Sequence, residues 1–222
     1  MEIKGANIEF LGHSGFLIST KGERIAIDPY NVSSNVGKVD LILITHSHYD
    51  HCSIKDIRRL VKKGTTVVIP ADAQSKVMKI EGVDMQVIEI GDECAFGKIR
   101  IEALPSYTLN KKFHHKKEGW LGYLIKINNT IIYHSGDCDK MPEMKKLTGY
   151  GKKDNNFVAL LPVSGAYVMA AEEAAEVALL LNADLAIPMH YGAGVAGTIK
   201  DAERFVKLCK ESGVNAALLE KI

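Results

Sequence analysis

Four side chains that commonly bind metal ions lie within six residues, in the segment His46-Ser-His48-Tyr-Asp50-His51. Imidazole and carboxylate groups suit Zn, Mn or Fe, and a loop just past a strand can turn several side chains inward. His46 and His48, two residues apart, share one ion if the chain there is extended. Asp50 and His51 follow the turn and point towards a second position. The spacing therefore predicts two adjacent metal ions.

Apolar segments separated by turn residues indicate the elements that position this cluster. The pattern predicts strands at 6–12, 15–20, 24–29, 39–46, 65–70, 119–127, 129–137, 156–163 and 183–190. It predicts helices at 53–61, 170–181 and 198–212. The first helix has Ser53 as its N-cap and Asp56 at its third position, directly after the cluster. The cluster is thus expected on a strand-to-helix loop.

Two pairs of segments are similar between the halves of the chain. Gly12–Ile18 resembles Gly119–Ile125, and Val39–His46 resembles Ala183–His190, in both cases without a gap. Both copies of the second segment end on a histidine just beyond a strand. Either apolar strands look alike by chance, or the fold is a pseudo-duplicated sandwich with helices outside two facing sheets. The sandwich would bring both strand ends to one edge.

Composition limits the classes of protein. The chain has 222 residues, 46% of them hydrophobic and 25% charged, and a formal net charge of +1. We expect one domain over 1–222, with no field that would attract nucleic acid or an anionic membrane. The four cysteines are widely spaced, and no signal peptide or long apolar segment is visible. These features predict a cytoplasmic protein with reduced thiols.

The HxHxDH pattern at 46–51 resembles that of the metallo-β-lactamase-fold superfamily, and the likeness extends over nearly the whole chain. Ile131–Asp137 is similar to the strand that ends in a metal-bridging Asp, and Ile187–Gly192 to the segment with the last His ligand. Leu11–Ser14 and Pro162–Met169 look most like a branch that includes the ascorbate-phosphate lactonases. The resemblance implies an α/β fold: an αββα four-layer sandwich of the metallo-β-lactamase type, in two pseudo-repeated halves.

The resemblance also implies a set of ligands for two divalent ions. The first ion takes His46 and His48, the second takes Asp50, His51 and His190, and Asp137 lies between them. The third imidazole of the first ion is absent from its usual position, where Tyr107 stands. His114 is the preferred substitute and His115 the second choice. Otherwise the first ion has two imidazoles and extra water, and is held more weakly.

Other polar residues near these segments have weaker claims to a role. Asp28 matches the early Asp that supports the site of the superfamily from outside. His13 is left out of the ligand set, because it could bond to a ligand or to Asp28, or be purely structural. His134 is expected to pack on the face opposite to Asp137. Cys52 and Cys138 are expected to pack as small hydrophobic residues.

These features predict a metal-dependent hydrolase. Two ions that share a water and Asp137 would lower the pKa of that water and provide a bridging hydroxide. Asp50 would pass a proton to the leaving group. The basic run at 111–117 is either a solvated loop or an attractor of a phosphate or carboxylate. The expected substrate is a lactone or phosphodiester in a small anionic metabolite, and a homo-oligomer is possible.

Other functions remain as alternatives. A nuclease or RNA-processing phosphodiesterase of the same superfamily would usually carry an inserted nucleic-acid-binding domain, for which this chain has no room. A non-catalytic metal-binding protein or an oxygen-reactive di-iron protein is the third possibility. The presence of His51, Asp50 and Asp137 argues against a protein that has lost catalytic activity. The donor set does not choose between Zn, which is favoured, and Mn or Fe.

Overall fold

In a computed structural model, residues 1–151 and 154–222 form two β-sheets flanked by helices. The first sheet has the order β1 to β7, with strands Glu2–Ile3, Ala6–Gly12, Gly15–Ser19, Arg24–Ile27, Leu41–Leu43, Thr65–Ile69 and Val83–Val87. The second has the order β13 to β8. Its strands from β8 to β13 are Glu93–Phe96, Ile99–Pro105, Leu121–Ile127, Thr130–His134, Asn156–Pro162 and Leu185–Met189.

Side-chain caps mark the starts of two of the four α-helices in the described ranges. Helix α1 (Ile54–Leu60) has Ser53 as its N-cap, and the Ser53 side chain accepts from the Asp56 N–H. Helix α2 (Gln74–Val77) follows β6, α3 covers Ala171–Leu181, and α4 covers Ile199–Glu211. Thr198 and Asp201 form a capping box at the start of α4. The three helices predicted from the sequence are confirmed.

The strands of the first sheet alternate between two apolar faces. Phe16, Ile18 and Ile25 belong to the core shared with the second sheet. Leu17 and Ala26 face the other way, into a core that includes residues of α1 and α2. Helices α3 and α4 pack against the second sheet through the larger core. The predicted four-layer αββα sandwich is confirmed.

The two sheets follow the same pairing scheme. Strands are antiparallel up to β4 in the first sheet and up to β11 in the second, and parallel beyond these strands. The similarity of Gly12–Ile18 to Gly119–Ile125 fits this scheme, because β3 and β10 occupy equivalent positions. The similarity of Val39–His46 to Ala183–His190 does not. It aligns β5 with β13, whereas β5 is equivalent to β12.

Several elements were not predicted from the sequence. Edge strands β7 and β8 are short and partly exposed, and they lack the long apolar runs on which the prediction depended. Strand β9 alternates buried and more exposed residues, a signal that could have been found. No helix among the described residues is long and apolar enough to cross a membrane. The four cysteines are free.

Hydrogen bonds join the two sheets where β5 and β13 end. The hydroxyl of Tyr123 on β10 donates to the carbonyl of Ile44 over 2.6 Å. The N–H of Leu121 donates to the carbonyl of Thr45 over 2.9 Å. The N–H of His190 donates to the carbonyl of His13 over 2.7 Å. The residues that follow β5 are therefore fixed by the second sheet as well as the first.

Replacement of Tyr123 by Phe tests this connection. Tyr123→Phe leaves the buried Ile44 carbonyl without its partner, so the free energy of unfolding should fall by about 1–3 kcal/mol. Urea denaturation followed by circular dichroism measures the change. Tyr133→Phe is the matched control, because Tyr133 is as deeply buried and its hydroxyl has no hydrogen bond among the described residues. Equal stability of the two variants would contradict the proposed role of this bond.

Candidate metal centre

The predicted site residues gather at the seam between the sheets, and Asp137 lies at their centre. Its Oδ2 atom is 3.1 Å from His190 Nε2, 3.2 Å from His114 Nε2 and 3.3 Å from His51 Nε2. His46 Nε2 is 4.0 Å away. These residues follow three different strands or lie in the β9–β10 loop, so only the tertiary fold brings them together. All of them are buried.

The donor atoms form two adjacent groups. In the first group, the ligand atoms of His46, His48 and His114 all lie within 4.8 Å of one another. The second group contains His13, Asp50, His51 and His190 within the same limit. His46, His51 and Asp137 form a third such set, which joins the first two. This grouping is the one that the superfamily resemblance implies, with His13 added, and metal binding by these residues remains a prediction.

Of the three candidates for the missing imidazole, the structure places His114 beside His46 and His48. The His114 ring is 5.1 Å from the His48 ring and 5.4 Å from the His46 ring, between centroids. His115 is exposed. The Tyr107 hydroxyl donates to Glu143 over 2.8 Å. Tyr107 is thus used elsewhere, and His114 is the candidate with the required position.

The outward nitrogens of His51, His46 and His114 have fixed partners. His51 Nδ1 donates to Asp28 Oδ2 over 2.7 Å, and the Thr45 hydroxyl donates to the same oxygen over 2.6 Å. Since the Thr45 proton is used there, His46 Nδ1 at 3.0 Å must donate to the Thr45 oxygen. His114 Nδ1 donates to the carbonyl of Tyr167 over 3.2 Å. Their Nε2 atoms therefore face the site, as metal binding requires.

His190 and His48 complete the inner surface. His190 Nδ1 lies 2.9 Å from the hydroxyl of Ser164, so its Nε2 faces Asp137. His46 Nε2 and His48 Nδ1 are only 3.0 Å apart. Trp120 stacks on His46 at 4.6 Å between centroids, and its indole N–H donates to Asp72 over 2.7 Å. Packing by Trp120 therefore orients the first donor group from outside.

Unsatisfied buried atoms show that the site fits metal ions. His51 Nε2, His114 Nε2 and Asp137 Oδ1 have no hydrogen-bond partner although all three are buried. Both imidazole nitrogens lie within 3.3 Å of Asp137 Oδ2, yet neither forms a hydrogen bond to it. Buried polar atoms without partners are rare and call for an explanation such as an ion. A divalent cation would satisfy these atoms together.

Charge in the site also favours a cation. Burial opposes ionisation of Asp137, but the nearby His190 and His51 hold its pKa well below the usual range. Burial alone would lower the pKa of His51, but Asp137 and Asp28 raise it well above the usual value. Burial holds the pKa of His46 well below its usual value. The pair of aspartates thus attracts positive charge, while His46 keeps a free lone pair.

His13 is the residue that the sequence analysis left out of the ligand set. Its Nε2 donates to Asp50 Oδ2 over 2.9 Å, and its ring lies 4.3 Å from that of His190. Burial would raise the pKa of Asp50, but the hydrogen bond from His13 and the nearby His51 together outweigh it, and the pKa falls to about 2. The sequence signal that could have identified His13 was its position between β2 and β3, at the same edge as the cluster at 46–51.

Strained backbone conformations are concentrated at the site. Eight non-glycine residues in the described ranges adopt positive φ, and four of them belong here: His13 (56°), Asp28 (42°), His114 (63°) and His190 (61°). Each such conformation costs about 1–3 kcal/mol and persists only where the surroundings enforce it. The hydrogen bonds to their side chains and main chain provide that enforcement.

The remaining candidates lie outside the donor groups. His134 is buried and bonds to the carbonyl of Ser14 over 2.9 Å, which confirms its expected packing role. Cys52 and Cys138 are buried thiols whose pKa is raised by burial. Lys111, in the basic run, forms an ion pair with Asp139 at 3.2 Å. The charge of Lys111 is therefore paired within the protein.

A cavity of about 290 Å³ opens onto the donor groups. It is lined by His48, Tyr49, Asp50, Phe113, His114, Asp137, Tyr167, His190, Gly194 and Val195. Its size is just below the usual range for drug-sized ligands. The site is thus open to a small molecule.

Comparison with known proteins gives consistent matches. A family model described as a beta-lactamase superfamily domain matches residues 7–190. A UPF0173 metal-dependent hydrolase of Nanoarchaeum equitans is 34% identical and the match covers 96% of both chains. A metal-dependent hydrolase structure from Parabacteroides distasonis has a TM-score of 0.81 at 26% identity, over 97% of this chain and 94% of that one. The metallo hydrolase Igni18 from Ignicoccus hospitalis shares the fold, with a TM-score of 0.77 at 23% identity, over 97% and 95% of the two chains.

Removal of His114 tests the first donor group. His114→Ala should weaken binding of one of two Zn²⁺ ions by at least about tenfold, because two imidazoles remain there. Titration calorimetry on metal-stripped protein, together with elemental analysis, measures affinity and stoichiometry. His115→Ala is the control, because His115 is a neighbouring but exposed imidazole. If both variants bound zinc like the parent protein, His114 would not be a ligand.

Replacement of Asp28 by Asn tests whether this residue, which lies outside the donor groups, supports metal binding. Asp28→Asn removes the charged acceptor of His51 Nδ1, so metal affinity should fall by about 10–100-fold. Asp56→Asn is the control, because Asp56 is also buried and accepts from the N–H groups of Asn31 and Val32, neither of which belongs to a donor group. It should lower the unfolding free energy and leave zinc affinity unchanged. A similar affinity loss in both variants would assign the effect to general destabilisation.

Proposed function

This chain belongs to the beta-lactamase superfamily and, within it, to the UPF0173 metal-dependent hydrolases, and we propose that it cleaves an ester-like bond in a small molecule with two divalent ions. The observation that carries the proposal is that two donor groups, each with several imidazoles, meet at the carboxylate of Asp137 beside an open cavity. The bond is a lactone, a carboxylic ester or a phosphodiester.

Each donor group would hold one ion. His46, His48 and His114 would hold the first, Asp50, His51 and His190 the second, and Asp137 would contact both. Nitrogen and oxygen donors suit Zn, with Mn and Fe as alternatives. When bound, such ions supply Lewis acidity and lower the pKa of water towards neutrality.

The protein's own groups complete the reaction. The oxygen of water bonds to the carbonyl carbon or phosphorus, the bond to the leaving oxygen breaks, and a proton ends on that oxygen. Asp50 lines the cavity, so its carboxylate is placed to take the proton from water and deliver it to the leaving oxygen. His13 orients Asp50 through their 2.9 Å hydrogen bond. Asp28 and Thr45 keep His51 and His46 in the binding tautomer.

The cavity favours a small molecule over a nucleic acid. Its volume of about 290 Å³ suits one compact group, and the near-zero net charge offers no general attraction to a polyanion. The open cavity beside both donor groups also supports turnover over metal storage. The cytoplasmic location and a homo-oligomeric state remain predictions from the sequence.

An activity panel tests the proposal. Protein loaded with two equivalents of Zn²⁺ or Mn²⁺ should hydrolyse at least one of a lactone, a carboxylic ester, a thioester or a phosphodiester. His190→Ala should lower kcat/KM by more than about 100-fold, because a direct ligand matters more than an outer partner. His115→Ala should retain full activity. If the metal-loaded protein hydrolysed none of these compounds and His190→Ala changed nothing, the enzyme hypothesis would be wrong.

A further inference from the structure

Exposed aromatic side chains are concentrated at the mouth of the cavity. Among the described residues, the exposed large aromatic side chains are Tyr49 (62%), Phe113 (42%) and Tyr167 (39%), and all three line this cavity. We call these three residues the aromatic rim. Exposed apolar groups gathered in one place mark binding sites, whereas scattered ones carry no such meaning. The concentration of exposed rings therefore indicates that the rim binds another molecule.

The rim is continuous with the reacting groups. Tyr49 lies in the chain between His48 and Asp50. The carbonyl of Tyr167 accepts from His114, and the Phe113 ring lies edge-on to that of Tyr167 at 5.5 Å between centroids. A molecule whose scissile bond lies at Asp137 would thus contact these rings with its remaining part.

The wall of the cavity contains no Lys or Arg among the described residues. In the basic run at 111–117, the ammonium of Lys112 lies 5.6 Å from the centroid of the Phe113 ring, but Lys112 does not line the cavity. The Lys111 ammonium bonds to Asp139 and to the carbonyls of Gly165 and Val168. Lys116 pairs with Glu143 over 2.8 Å. Beyond the metal donors, the described lining of the cavity offers aromatic rings and no positive side chain to an anionic substituent, and the nearby Lys112 ammonium lies against the Phe113 ring outside this lining.

We propose that the aromatic rim binds an uncharged aromatic or aliphatic substituent of a carboxylic ester or lactone, and so selects against anionic substrates. This inference rests on the proposed hydrolase function and narrows its substrate class. It replaces the anionic metabolite expected from the basic run. Ring-on-ring contacts contribute about 0.5–1.5 kcal/mol each, which corresponds to as much as about tenfold in binding.

Matched substrates test the selectivity of the loaded enzyme. Benzyl acetate should exceed both methyl acetate and para-carboxybenzyl acetate in kcat/KM by about tenfold, as should lactones with the same substituents. Phe113→Ala and Tyr167→Ala should remove most of this preference, mainly by raising KM for benzyl acetate more than KM for methyl acetate. Phe113→Trp and Tyr167→Phe should preserve it. Equal kcat/KM for the carboxylate-bearing substrate would overturn the proposal.

A control variant and a direct binding measurement separate this inference from the hydrolase function. Leu218→Ala should change nothing, because Leu218 is as exposed as Tyr167 (39%) and lines a different cavity. Benzyl alcohol should give saturation-transfer NMR signals with the purified protein, and Phe113→Ala should weaken them. Binding without turnover of any ester would support the rim and contradict the hydrolase function. Ester turnover that does not depend on the rim residues would support the hydrolase function and contradict the rim proposal.

Oligomeric state provides the last test. If light scattering showed a dimer that Tyr49→Ala or Phe113→Ala converted to a monomer, the rim would be a subunit contact and the proposal would be wrong. An unchanged state in both variants, with the selectivity lost in Phe113→Ala, would support the substrate role.

Discussion

The buried carboxylate of Asp28 holds the site together. Its Oδ1 accepts from the Thr45 N–H over 2.8 Å, while its Oδ2 accepts from the Thr45 hydroxyl and from His51. A buried charge is costly unless hydrogen bonds compensate for it, so these three donors are needed for the fold itself. Because Thr45 in turn accepts from His46, one carboxylate orients an imidazole of each donor group. Stability and metal binding are therefore coupled at Asp28.

The pseudo-repeat explains where the two key aspartates come from. Strands β4 and β11 are equivalent, since each is the point where antiparallel pairing changes to parallel. Asp28 follows β4 directly and Asp137 comes shortly after β11. In the first half the carboxylate is enclosed and fixes other residues. In the second half it faces the cavity and contacts four imidazoles.

The site combines a rigid floor with an apolar mouth. Strained backbone at His13, His114 and His190 is held by hydrogen bonds across the seam, which fixes the inner atoms before any ligand arrives. Around the opening, by contrast, exposed rings have few polar contacts. A rigid polar centre suits one reaction on a defined group, and an apolar mouth suits recognition by shape and hydrophobicity. In the proposed function, the chemistry and the selectivity thus rest on different residues.

The sequence by itself determined the sandwich, the helices and the residues around which both donor groups form. Apolar periodicity and caps are local signals, and the spacing of His46, His48, Asp50 and His51 needs no distant contact to be recognised. Only the tertiary structure decided which residue joins His46 and His48, that His13 bonds to Asp50, and that Lys111 turns inward to Asp139. These contacts depend on how loops from different strands pack at the seam, and local sequence carries no record of that geometry.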